Sequence, residues 1–314
     1  MPLSVVIMDD SRGPAEGRPG RRLLGLEGKT GGELTIMRLG RLWPLVYLIS
    51  LGPAAAAPAS STGLAVTVDS DQLRHLDWDL SWGATDDARV TLGAGTTRDD
   101  QAGDYSAHYV SAGLSSDALK PIGAQVAGSY WWQPDAASIT TLEAGPSWSS
   151  AAWSVAVTGE LRRITLEGTA MRHMGTRATD INASAVALDL SYFGVPRWGF
   201  SAGGYAAGYS DNLDTLASAR FAGRVFSQAT LDVARGLDDH RLYGEAVYYR
   251  GPWSLGLNVT RGLTAAEQSR YDRFNVRLGW EVSLHWSMAA HGGAITPEVG
   301  NDTVYAGLSA RYYW

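Results

Sequence analysis

Downstream of residue 60, apolar side chains recur at every second position over segment after segment. YDRFNVRLGWEV (271–282) shows the pattern most sharply: Phe274, Val276, Leu278, Trp280 and Val282 alternate with Arg273, Asn275, Arg277 and Glu281. DWDLSWGA sends Trp78, Leu80 and Trp82 one way and Asp77, Asp79 and Ser81 the other. IGAQVAGSYWWQ sets Ile122, Val126, Tyr130 and Trp132 against Gln125, Ser129 and Gln133, and WSLGLNVTRG sets Trp253, Leu255, Leu257 and Val259 against Ser254, Asn258 and Thr260. A period of two predicts strands with one apolar and one mixed face. Further alternation lies near 88–97, 108–117, 137–148, 153–163, 184–193, 198–207, 217–235, 241–250, 286–296 and 304–314. Turn chemistry separates the segments, with TDD at 85–87, GVPR at 194–197, LDDH at 237–240 and RGP at 250–252. No helical stripe of useful length intervenes.

These segments number fourteen, and counts from twelve to sixteen fit the pattern. In a membrane barrel the longer loops gather on one side and tight turns on the other. Counting back from the C-terminus, TRDDQAGDYS, HMGTRATDIN, GYSDNLD, LTAAEQSR and TPEVGND obey this until 217–235, where the parity breaks. A second strand there, with GLAVTVD (63–69) as the first strand, would restore it at sixteen. Against this, 217–233 keeps a single phase.

Composition decides which face is wet. A soluble sandwich also alternates, but its outward faces carry many Lys and Glu. Here Lys120 is the one lysine after residue 59, and the non-lipid face is built of Gly, Ser, Thr and Ala with scattered Arg, Asp and Glu. Trp (12) and Tyr (14) far outnumber Phe (5), and these are the side chains that settle at membrane–water boundaries. The expected fold is therefore all-β, a closed antiparallel transmembrane barrel with an apolar outer band. Closure also pairs every strand edge, which hydrocarbon could not solvate. Trp78, Trp82, Trp132, Trp253, Trp280 and Trp286 are the expected lipid-face and girdle aromatics. Zero cysteines exclude a disulfide scaffold, a thiolate metal site and a Cys nucleophile, and a net charge of −6 argues against a general nucleic-acid binder.

The N-terminal region reads differently. Residues 1–36 carry Gly, Pro and mixed charge without periodicity and are expected to be an upstream extension, with Met37 the true start. From Met37, a basic flank (Arg38, Arg41), an apolar run (Leu42 to Leu51) and a small-residue zone (Ala54 to Ala59) have the build of a secretory signal peptide over 37–59. The run is shorter than the roughly 20 residues that span a membrane. Cleavage is expected after Ala56 or Ala59, leaving a barrel domain over 60–314.

The chain ends on VYAGLSARYYW, with Leu308, Ala310, Tyr312 and Trp314 on one face. This ending resembles the C-terminal signature of Gram-negative outer-membrane β-barrels, a terminal aromatic with Tyr two residues earlier and apolar residues at alternate positions before it. Trp in place of the usual Phe, and the small Ala310, depart from the pattern. The resemblance implies an outer-membrane location and recognition of those four residues by the barrel-assembly machinery. Outer-membrane lipid and lipopolysaccharide are the further expected partners, with a homo-oligomer compatible.

The first functional reading is a passive, porin-like pore for small polar solutes, since charged side chains lining a lumen select by sign and size. Its candidate lining residues are Arg220, Arg224, Glu245, Arg261, Arg273, Arg277, Glu281 and Arg311, with Asp189 and Asp232. Arg273 and Arg277 share one strand face, and Arg311 is placed near them. The competing reading pairs such charges across strands, Glu281 with Arg311 for example, and fills the lumen. A barrel serving polysaccharide export, adhesion or outer-membrane structure is the alternative class. A barrel-wall lipid hydrolase is a third: His285-Trp286-Ser287 looks like the His-x-Ser arrangement of outer-membrane phospholipase A, with Asn301 or Asn275 to orient the imidazole. The site would have to face lipid, whereas here Trp286 takes that face, so no catalytic residues are assigned. The histidines show no metal-ligand spacing, and no cofactor or metal is expected.

Overall fold

The computed structural model describes residues 60–70, 73–99, 106–134, 137–167, 178–210, 237–265, 268–299 and 302–314. The expected upstream extension (1–36), the expected signal peptide (37–59) and the expected strand at 217–235 with Arg220, Arg224 and Asp232 lie outside them. Fourteen strands make the wall: β1 Ser61–Asp69, β2 Leu73–Thr85, β3 Ala88–Asp99, β4 Ser106–Leu119, β5 Ile122–Gln133, β6 Ala137–Ser149, β7 Trp153–Glu167, β8 Ala178–Tyr192, β9 Trp198–Tyr209, β10 Asp238–Arg250, β11 Trp253–Thr264, β12 Arg270–Glu281, β13 Trp286–Pro297 and β14 Thr303–Tyr313. Every neighbour is antiparallel, each strand pairs with the next in sequence, and β14 pairs with β1 to close the cylinder. The seam runs from Ser61 opposite Tyr313 to Asp69 opposite Tyr305. It is extended by Ser60 and Trp314, whose backbone N–H groups each donate to the other's carbonyl at 3.3 and 3.1 Å.

The count matches expectation, but its membership differs. GLAVTVD is the first strand, and β9 hydrogen-bonds directly to β10 from Trp198 opposite Tyr248 to Ala206 opposite His240. The stretch 217–235 lies outside the described residues, and no strand of the described wall stands between β9 and β10. This alone restores the parity at fourteen. The β3–β4, β7–β8, β9–β10, β11–β12 and β13–β14 connections, which carry the five longer loops, all open at the end opposite the chain termini. The turns at the terminal end are short, and Gly251 takes a positive φ (59°) in the two-residue turn between β10 and β11, where a side chain would be strained.

The apolar phase faces outward all round. Leu64, Leu92, Val110, Val126, Leu142, Leu161, Leu188, Leu242, Val259, Phe274 and Leu308 are exposed, Leu308 and Leu242 each at 66%. So large a continuous apolar surface is incompatible with water and matches the hydrocarbon band of a membrane barrel. At the terminal end it finishes in an aromatic belt, with Trp148 on β6, Trp153 on β7, Trp198 on β9, Trp253 on β11, Trp280 on β12, Trp286 on β13 and Trp314 just past β14. Neighbouring rings pack together, Trp253 stacked on Trp280 at 5.3 Å and Trp286 against Tyr312 at 5.0 Å. Trp82 is also outward near this end. Trp132 lies at the loop end beside His108. Trp78 lies on the outward face within the span of β2, opposite Leu64, its indole N–H donating to Thr62 Oγ1 at 3.0 Å.

Candidate functional site: the barrel lumen

The inward phase carries the polar side chains, and its first property is that much of its bulk lies flat. Tyr109, Tyr243, Tyr271 and Tyr305 each stand directly opposite a glycine on the next strand, Gly95, Gly203, Gly262 and Gly293. A Cβ at any of these glycines would collide with the facing ring. The rings therefore lie over bare backbone along the wall, an aromatic rescue of glycine, instead of projecting across the lumen. The phenols are held there by carboxylates: Tyr243 donates to Asp189, and Tyr271 donates to Asp238 Oδ1 at 2.8 Å. Gly203→Val, whose Cβ would lie 2.5 Å from Tyr243 Cε1, is expected to push that ring off the wall. The cost should be about 1–3 kcal/mol, read as a lower urea midpoint of the barrel in lipid vesicles; an unchanged midpoint would mean the ring does not rest on the glycine.

Charge is arranged in pairs and in single groups. Arg162 Nη2 lies 2.5 Å from Glu160 Oε1, both side chains almost fully buried, and Tyr205 OH bridges them, accepting from Arg162 and donating to Glu160 at 3.2 Å each. The Arg241 guanidinium stacks 4.8 Å over the Tyr205 ring and pairs with Asp238 at 3.0 Å. Arg311 grips both oxygens of Asp79, at 3.1 and 2.9 Å. These contacts brace β2 against β14 and tie β7, β9, β10 and β12 into one polar network.

Of the expected lining residues, Glu245, Arg273, Arg277, Glu281 and Arg311 face inward. Arg261 does not. It stands between the outward Leu242 and Asp272 in register and binds Asp272 through Nε and Nη2 at 2.7 and 2.9 Å. The phase of Trp253, Leu255, Leu257 and Val259 already placed it outside; its charge, set where the strand leaves the apolar band, is solvated there with its partner. Arg311 is also not part of an arginine group with Arg273 and Arg277. Its row meets Ser287 and Glu281, whereas Arg277 faces His291 and Gly307, and its partner is Asp79 on the other side of the seam instead of Glu281. Asp189 is inward as expected.

The residues that sequence reasoning passed over are Asp77, Asp79, Glu143, Glu160, Arg162, Asp238, Arg241 and the tyrosines. Their signal was present in the phase: Glu160 and Arg162 flank the outward Leu161, and Asp77 and Asp79 flank Trp78. The hydrolase arrangement does not form. His285 lies in the β12–β13 turn with Nδ1 3.0 Å from the Tyr313 carbonyl, and Ser287 Oγ sits 3.3 Å from the Tyr313 hydroxyl. Asn275 is opposite Gly293, six residues along β13 from Ser287, roughly 20 Å away. Asn301 lies outside the described residues. Among the described residues no group of His, Asp and Glu is arranged to hold a metal ion.

No protein-family model matches the chain, and no curated protein matches it. Solved structures to which the chain is similar include the KdgM porin, with 8% identity over 80% of this chain and 98% of that one, TM-score 0.41. The CymD monoaromatic hydrocarbon channel has 7% identity over 82% and 88%, TM-score 0.49. The Pseudomonas aeruginosa protein OpdK, solved with vanillate, has 8% identity over 82% and 97%, TM-score 0.42. The fourteen-strand closed barrel itself rests on the register of this chain.

Proposed function

We propose that the protein is a passive pore for small polar solutes in the outer membrane of a Gram-negative bacterium. The observation that carries this reading is the division of the wall into two chemically opposite faces, with the inward tyrosines laid flat over glycine. Fourteen strands enclose a lumen wider than that of the small, side-chain-filled barrels. An inner face of Gly, Ala, Ser and Thr leaves the middle of such a cylinder to water. The neighbours solved as porins and channels accord with this reading. The outward Leu308, Ala310, Tyr312 and Trp314, on the strand that closes the ring, are the surface we assign to the barrel-assembly machinery. Lipid and lipopolysaccharide contact the apolar band and the loop-side rim, where Arg163 pairs with Asp180 and Arg261 with Asp272 on the outer face. The separate bonding of His285 and Ser287 gives the hydrolase reading no support. The test is reconstitution of residues 60–314 in planar bilayers. Stepwise conductance is the expected result; a folded but electrically silent barrel would defeat the pore and favour a structural or adhesive role.

A further inference from the structure

Resting on the pore reading, we infer that the lumen prefers cations, because the groups left over after internal pairing form an acidic belt. Three inward arginines of the described wall are neutralised where they stand, Arg162 by Glu160, Arg241 by Asp238 and Arg311 by Asp79. The carboxylates without an ion pair to an arginine or lysine among the described residues then include Asp77 on β2, Glu143 on β6, Asp189 on β8 and Glu245 on β10. All four are inward and partly exposed. Asp77 and Asp189 are held by phenols, those of Tyr109 and Tyr243. Glu143 stands directly opposite Glu160 in register, so two carboxylates share one patch of wall with a single arginine between them.

The basic answer to this belt at mid-wall comes from one strand. Arg273 and Arg277, both on β12, form no ion pair among the described residues. Arg277 is partly offset by Glu245: the bare backbone of Gly256 lies between them, and a Cβ there would be 3.7 Å from Glu245 Oε1 and 3.7 Å from Arg277 Cβ. Acidic groups on β2, β6, β8 and β10 thus look into the lumen from much of its circumference, whereas the inward cations outside the three ion pairs are Arg273 and Arg277 on β12 and Arg89 near the terminal end of β3. Rings of Asp and Glu raise the local concentration of cations and exclude anions. The solute class this lumen suits is inorganic cations and small solutes bearing an amine together with hydroxyl groups, for which the inward Ser, Thr and Tyr hydroxyls supply hydrogen-bonding partners.

The experiment is the reversal potential of reconstituted residues 60–314 across a potassium chloride gradient at neutral pH. A potassium-to-chloride permeability ratio of about threefold is expected, falling to about one in Glu143→Gln with Glu245→Gln. A chloride-preferring or unselective wild type overturns the inference, as does a ratio unchanged in the double variant. Should that variant fail to fold, Arg277→Gln gives the opposite reading: its ratio is expected to rise, and an unchanged one overturns the inference. A folded chain with no conductance defeats the pore reading itself, whereas an open, chloride-preferring pore defeats only this assignment of its selectivity.

Discussion

Leu308→Arg is expected to cost about 2–4 kcal/mol of folding free energy in a bilayer, and Ser309→Arg, one residue along the same strand, under about 1 kcal/mol. Leu308 sits at the middle of β14, 66% exposed on the outward face. A guanidinium there has hydrocarbon around it and no partner within the band. Ser309 points the other way, between Ala65 and Ala289 in register, and an arginine at that position extends into the polar lumen. The measurement is equilibrium urea unfolding in lipid vesicles followed by tryptophan fluorescence. Equal costs, or the larger cost at Ser309, would mean that the faces have been exchanged and that the apolar phase does not meet lipid.

Arg162→Met should be the most damaging change inside the barrel, at about 3–5 kcal/mol. The Arg162 and Glu160 side chains are 7% and 10% exposed, so losing the guanidinium strands one carboxylate in a dry site with Glu143 directly opposite. The penalty comes less from the missing attraction than from the uncompensated charge it leaves. Adding Glu160→Gln to Arg162→Met is therefore expected to restore most of the loss, in the same unfolding experiment. Strictly additive costs would show that the two side chains do not act as a unit.

The barrel was legible in the sequence because a two-residue period reports directly on which side of a strand each residue falls. Phe274 to Trp280 named both faces of β12 without further information. Where reading failed, it failed on matters that period cannot express. GLAVTVD alternates too weakly to stand out, since Gly63, Ala65 and Thr67 are small; only its pairing with β14 and β2 makes it a strand. Arg261 was misplaced by giving its charge more weight than its phase. In the lumen, the sequence marks which residues point inward but not who meets whom. Arg311 finds Asp79 across the closing seam, a separation of 232 residues, and no local pattern announces such a partner.

The seam has one more consequence. Because the first strand is bonded to the last, the wall is a ring, and a ring with one link missing leaves two raw edges that hydrocarbon cannot satisfy. No partial product of translation is therefore a viable resident of the bilayer. The ring is complete only when Trp314 stands beside Ser60.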